Sequence, residues 1–319
     1  MRLITFGVLA TTIVLGPAVH GAGAQSWQPP SDASRCPSKW GPTDERGSAN
    51  LMSAASVLRA ARYIKTGQVF ELGRVLSSTM PVNPGRRFEL LTKRTVMNGE
   101  SNRRGSNEEI ISGELGQVGT QFDGFAHQTI GGTHYNCVAS DAIASRTGFT
   151  KLGIETVGAL VTRAVLIDVA ALKGVPTLPD NYEITVEDLQ QALSRQQLSL
   201  QPGDAVLIHT GWGALWDTDG TRYVTSCPGI GIAAAEWLAT QNPMLVGADN
   251  WPVEVAPNPD RQLSLPVHQI MLVVNGIHLL ENLKLDDMAA ARAYESALIL
   301  EPLKMKGATG SAVAPIAIR

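Results

Sequence analysis

Three short apolar runs set the strongest limit on how this chain can fold. They are residues 163–169 (RAVLIDV), 203–209 (GDAVLIH) and 244–247 (MLVG). Each has the length of a strand, is apolar with little alternation, and is separated from the next by a helical pattern. A strand reads this way when both of its faces are covered. The runs therefore predict a sheet with helices packed over it. Thr185, with Asp188 three residues on, has the spacing of a cap for a helix through Ser194, and residues 232–240 read as another helix. Further along, 265–274 reads as a helix, with 276–281 and 296–300 as strands.

The upstream half is less regular. Leu51, Ala54, Ala55, Leu58 and Ala61 share one helical face within 50–65, and Gly67 follows as a stop. Residues 69–76 and 88–97 read as strands, and the polar stretch 98–107 as an exposed loop. No linker separates two cores. The expectation is a single α/β domain with a mixed sheet over 51–319, preceded by a Pro-, Ser- and Gly-rich extended lead-in over 25–50.

Of the 319 residues, 44% are apolar and 17% charged, against a usual charged share of about 25%. That balance excludes disorder as the main state. With 26 Lys and Arg against 29 Asp and Glu, and no basic block, a nucleic-acid partner is not expected. Residues 1–24 read as a secretory signal: Arg2, an apolar stretch from Leu3 to Val19, and an A-x-A site at Ala22-Gly23-Ala24. Gly16 and Pro17 interrupt the apolar stretch before the roughly 20 residues a bilayer span requires. The expected product, cleaved near Ala24, is soluble and periplasmic or secreted, with no membrane partner. It keeps Cys36, Cys137 and Cys227, of which one pair could bridge in an oxidising compartment. Their spacing leaves the pair open.

The densest polar cluster is Gln117-Val118-Gly119-Thr120-Gln121-Phe122-Asp123-Gly124-Phe125-Ala126-His127. It is similar to the H-x-G-T-H-x-D-x-x-x-H motif of the metal-dependent cyclase family, which includes bacterial kynurenine formamidases and isatin hydrolases. Gly119, Thr120, Asp123 and His127 match; Gln117 and Gln121 stand where better-known members place two histidines. Trp40-Gly41 with Asp44-Glu45-Arg46-Gly47, the segments 207–213 and 247–249, His268, Gly276, Glu281-Asn282-Leu283 and 307–311 also resemble family segments, in the same order. The resemblance covers roughly 40–319. It implies a compact swivelling β/β/α-type domain and a homo-oligomer. By position it implies Asp123, His268 and Glu281 as metal ligands, with Gln121 and Gln117 as weaker ones, and His127 as general acid/base.

Glutamine offers only a neutral carbonyl oxygen, so the two replacements shift the donor set away from what zinc prefers. Manganese or magnesium gains ground over zinc for the expected divalent ion. The implied chemistry is metal-assisted hydrolysis of a C–N or C–O bond in a small, aromatic amide, cyclic imide or lactone, with His127 carrying the proton. Phe122, Phe125, His209, Trp212, Asp249 and Trp251 lie near the motifs and are candidate substrate contacts. Two other readings stay open: a non-catalytic binding protein on the same fold, and a cyclase or dehydratase without net hydrolysis. No G-x-S-x-G elbow supports a serine hydrolase, and no G-x-G-x-x-G or Walker pattern supports a nucleotide cofactor.

Overall fold

The computed structural model describes residues 26–96 and 102–319; the expected signal segment lies outside them. Eleven strands and four helices matter for the site. The strands are β1 (Val69–Glu71), β2 (Phe88–Val96), β3 (Gly105–Gly113), β4 (Gln121–Asp123), β5 (Leu160–Asp168), β6 (Ala205–His209), β7 (Leu245–Ala248), β8 (His278–Glu281), β9 (Glu295–Leu300), β10 (Gly310–Ala312) and β11 (Ile316–Ile318). The helices are α1 (Ala54–Ala61), α2 (Val186–Gln196), α3 (Ile232–Thr240) and α4, which begins at Pro266–His268 and continues as a π-helix over Gln269–Val274.

The three apolar runs form β5, β6 and β7, which lie side by side and parallel, with β8 as the fourth parallel member. They bury both faces, as their composition demands. Val165, Ile167, Val206, Ile208 and Val246 face a layer that includes Leu189, Ala235, Leu238 and Ile270 from α2, α3 and α4. Ala164, Leu166, Leu207, Leu245 and Leu280 face the opposite cluster, with Phe70, Phe122 and Leu298. Antiparallel pairing at both margins makes the sheet mixed, in the order β1-β11-β9-β5-β6-β7-β8-β4-β10. Strands β10 and β11 sit near opposite margins, yet only residues 313–315 join them. So short a link spans roughly 14 Å at most, so the sheet must curl into a half-barrel.

Local chemistry explains where elements begin. The Thr185 hydroxyl accepts from the Asp188 N–H at 3.2 Å, and Asp188 accepts from the Thr185 N–H at 3.1 Å, the expected cap of α2. The expected helix at 50–65 starts later, at Ala54, because Ser53 and Ser56 form the same reciprocal cap there; residues Gly47–Leu51 make a separate 3₁₀ turn.

The stretch expected as a loop at 98–107 differs in part. Residues 98–101 lie outside the description, but Gly105–Asn107 already belong to β3, which pairs with β2 as a two-stranded ribbon. Its pattern gave no strand signal because neither face is buried. Leu90, Leu91, Ile110 and Ile111 are each about half exposed.

Cys36 and Cys137 are bridged, with Cα atoms 5.9 Å apart, and Cys227 is a buried free thiol. The bridge ties the lead-in to the loop after the motif. No described helix is long and apolar enough to cross a membrane.

Candidate metal centre

Strand period places the motif. On β4, Gln121 and Asp123 share one face, while Phe122 between them turns to the core. Gln121 lies opposite Glu281 of β8 in the ladder, and this cross-strand pair is hydrogen-bonded, Gln121 Nε2 donating to Glu281 Oε2 at 2.6 Å. The chain enters β4 through Gly119 at φ +65°, a left-handed backbone conformation that favours glycine. After β4 a tight turn, with the His127 N–H donating to the Gly124 carbonyl, brings His127 back beside Asp123. The first turn of α4 supplies His268.

The Asp123 carboxylate is fully buried, and neither oxygen has a hydrogen-bond partner among the described residues. Its Oδ2 stands 3.9 Å from His127 Nε2 and 3.7 Å from His268 Nε2. Those gaps are too long for hydrogen bonds. They suit two ligands each roughly 2.1 Å from one ion, which stand about 3–4 Å apart. Donor atoms of Asp123, His127 and His268 all lie within 4.8 Å of one another. The Gln121 Oε1 is likewise buried without a partner. Burial pushes the Asp123 carboxyl up to about 6, with Glu281 adding to the rise and His127, His268 and Arg86 opposing it. A buried, unpaired carboxylate is costly, and a divalent cation is the group that fits it.

The two histidines are held differently. His268 is enclosed, its Nδ1 2.6 Å from Glu254 Oε1 and its Nε2 3.1 Å from Glu281 Oε1. Burial lowers its pKa, but the two carboxylates outweigh that and hold it well above the ordinary value. Glu254 also accepts from the Val267 and His268 backbone N–H groups at 3.0 Å. This is the carboxylate–histidine arrangement that orients a metal ligand. The His127 ring has no hydrogen bond among the described residues, and its side chain is 16% exposed. Burial lowers its pKa, with Asp123 pulling the other way, so the imidazole is neutral at neutral pH.

The structure thus brings together Asp123, His127, His268, Glu281 and Gln121, with one difference from the implied ligand set. Both Glu281 oxygens are engaged, by His268 and Gln121, and the three-donor group contains His127 instead. Gln117 is half-buried at the rim, with long contacts of 3.5 Å to Gln121 Nε2 and 3.4 Å to Thr309 Oγ1. Glu254 was not singled out from the sequence. The signal was a lone carboxylate between valines in Pro252-Val253-Glu254-Val255.

Several expected substrate contacts are placed elsewhere. Phe122 and Phe125 are enclosed and pack on the His278 ring, with centroids 4.6 and 4.2 Å away. Trp212 is fully buried, its Nε1 donating to the Tyr223 carbonyl. Each has an apolar neighbourhood to fill, which is why it points inward. Asp249 accepts from the Thr210 N–H, the Thr210 hydroxyl and the Gly211 N–H, fixing the turn after β6. Trp251 is half-buried and does line a cavity beside Gln117 and Gln121.

His209 is clamped at the end of β6, its Nδ1 2.8 Å from Asp168 Oδ1. Burial lowers its pKa, but Asp168 and Asp249 outweigh that and raise it to about 9. The folded chain therefore binds this proton more tightly than the unfolded one, whose histidine titrates near 6.5. The resulting stability is present in full below pH 6.5 and is lost as pH rises through about 9. Thermal melts should show the melting temperature falling between pH 7 and 10. His209→Gln should flatten that fall; an equally steep fall in the variant would count against the clamp.

The sequence profile of the Cyclase family, described as "Putative cyclase", matches residues 70–255, more than half of the chain. The chain belongs to the cyclase family. A solved structure described as a novel cyclase is 34% identical to this cyclase-family chain, with a TM-score of 0.81, and the match covers 88% of this chain and 98% of that one. Isatin hydrolase A from Ralstonia solanacearum shares the fold at 21% identity and a TM-score of 0.57, over 83% of this chain and 97% of its own. Isatin hydrolase A from Labrenzia aggregata, solved with benzyl benzoate bound, shares it at 22% and 0.59, over 78% and 93%. No curated protein matches this member of the cyclase family.

Proposed function

We propose that this cyclase-family protein is an exported, metal-dependent hydrolase that opens a C–N or C–O bond in a small aromatic amide, cyclic imide or lactone. The observation that carries the reading is the buried, unpartnered Asp123 carboxylate standing between two imidazoles, one pinned and one free. Asp123 and His268 would hold the ion, with the Gln121 carbonyl oxygen in reserve. When bound there, a divalent cation supplies Lewis-acid polarisation of a carbonyl and acidifies water. Manganese suits one carboxylate and an amide oxygen around a single pinned histidine better than zinc does. Glu254 fixes the His268 ring through Nδ1, which leaves Nε2 as the nitrogen that would face the ion. His127, unpinned and neutral, accepts the proton of the attacking water and delivers it to the departing nitrogen or oxygen. Fold relatives that act on isatin, one solved with the product analogue thioisatinate, support an aromatic cyclic substrate.

Export is supported by the sequence of residues 1–24 and by the Cys36–Cys137 bridge, a bond typical of oxidising compartments and rare in the cytosol. A homo-oligomer is supported by the β2–β3 ribbon. A lone two-stranded ribbon with apolar side chains on both faces is marginal in water, and a second copy would cover Leu91 and Ile110. Light scattering should find a multimer that Leu91→Lys with Ile110→Lys converts to monomer; a monomeric wild type would end that proposal.

The deciding experiment is elemental analysis and turnover on protein beginning at Gln25, with a panel of aromatic amides, imides and lactones. About one equivalent of metal is expected, with hydrolysis that EDTA abolishes and Mn²⁺ restores. His127→Ala should keep the metal and lose roughly 10²–10⁴-fold in turnover. If it loses the metal instead, His127 is a ligand. Absence of both metal and hydrolysis would leave the binding-protein reading, which the engagement of both Glu281 oxygens favours.

A further inference from the structure

Arg86 stands where two cavities meet. The inner one is narrow and bordered by Gln117, Gln121 and Asn282, beside the candidate metal centre. The outer one is an open cleft walled by Pro84, Pro257, Leu263 and Leu265. Arg86, Asn83, Val224 and Trp251 line both, so the cleft is the approach to the inner cavity. Neither is lined by Asp123, His127 or His268; Gln121 is the inner cavity's link to that centre.

The side chain of Arg86 is half-buried and held in place, Nη1 donating to the Gln117 carbonyl at 2.8 Å. It has no carboxylate partner among the described residues, and neither Nε nor Nη2 has a hydrogen-bond acceptor there. Its charge is felt at both Asp123 and His127. In the same wall the indole Nε1 of Trp251 is a buried donor without a partner. A fixed guanidinium with spare N–H groups, an unpaired indole N–H beside it and apolar walls beyond are complementary to a planar ring bearing a carboxylate.

We propose that Arg86 binds a carboxylate on the aromatic substrate, so that this site selects acidic aromatic compounds over neutral ones. The bond that is cleaved rests on the hydrolase reading; the anion preference does not. Arg86 grips the carboxylate in the outer cleft, where the ring lies against Pro84, Pro257, Leu263 and Leu265; the inner cavity beside Gln117 and Gln121 has room for about one water. Trp251 stacks on or bonds the ring edge.

The test is calorimetric titration of benzoate and of its neutral counterpart benzamide into wild type, Arg86→Gln and Arg86→Lys. Each titration is run in EDTA and again after loading with Mn²⁺. Wild type should bind benzoate at least tenfold more tightly than benzamide in both conditions. Arg86→Gln should erase the ratio while benzamide binding stays within about threefold. Arg86→Lys, which keeps the charge but not the fork, should retain part of it. A preference that EDTA removes would place the anion on the metal and overturn the proposal, as would a preference that survives Arg86→Gln, or none at all. If both variants lose both ligands equally, Arg86 only shapes the cavity and the proposal fails. The titrations do not depend on turnover, so a failed hydrolysis screen leaves their result intact, and the reverse holds.

Discussion

Mn²⁺ added to EDTA-treated protein should raise its melting temperature by roughly 5 °C or more, and Asp123→Asn should abolish that rise. A ligand present at 100 times its dissociation constant stabilises the folded state by about 2.7 kcal/mol, worth several degrees in a domain of this size. The metal-free variant should be no less stable than metal-free wild type, and this second half makes the test sharp. Asp123 is fully enclosed with neither oxygen hydrogen-bonded, and burial outweighs the pull of His127 and His268, so without a metal cation its charge lowers the stability of the fold. Asparagine removes that charge at nearly the same volume. An ordinary buried carboxylate, paired within the protein, would behave in the opposite way and destabilise when neutralised. Turnover should vanish with the metal. Retained activity in Asp123→Asn would show that the ion is held elsewhere or is not needed.

Glu254→Gln should cost more than any single change at the rim of the site. The Glu254 carboxylate accepts from two backbone N–H groups and from the His268 ring. An amide can accept through one oxygen only and turns its NH₂ group against a donor. The loss of a buried, charge-assisted acceptor is worth about 3–5 kcal/mol, which denaturant melts would register. Metal affinity should fall roughly 10–100-fold because the His268 ring is no longer oriented. Unchanged metal affinity would mean that Glu281 alone positions His268. Either outcome assigns a role to a residue that carries no motif.

The parallel centre of the fold was legible because β5, β6 and β7 are buried on both faces, and an unbroken apolar run of strand length suits little else. The Asp123–His127 pair and the distant His268 were legible through family resemblance, since nothing in local spacing joins residue 123 to residue 268. Other features were hidden for physical reasons. The β3 strand is exposed on both faces, so burial left no period in its sequence. Glu254 resembles a surface residue until the turn after β7 folds it under α4. Phe122, Phe125 and Trp212 resembled an aromatic wall, but an aromatic beside a glycine can face either way, and here the apolar clusters claimed all three. The role of Gln121 was half visible: its weakness as a ligand follows from its chemistry, while its bond to Glu281 requires the β4–β8 register.

The placement of β4 between β8 and β10 has a bearing on when this site comes into being. Every candidate ligand has been synthesised by Glu281, yet the strand that carries Asp123 gains its second neighbour only from Gly310–Ala312, paired Gly310 to Asp123. Such pairing across nearly 190 residues is slow, since a long loop must close before the contact forms. The order of synthesis and the order of assembly therefore part company. Late docking of β10 would keep the buried carboxylate open to water while the body of the sheet forms and would seal it with its cation, an order that hydrogen-exchange labelling during refolding would test at Asp123 and Gly310.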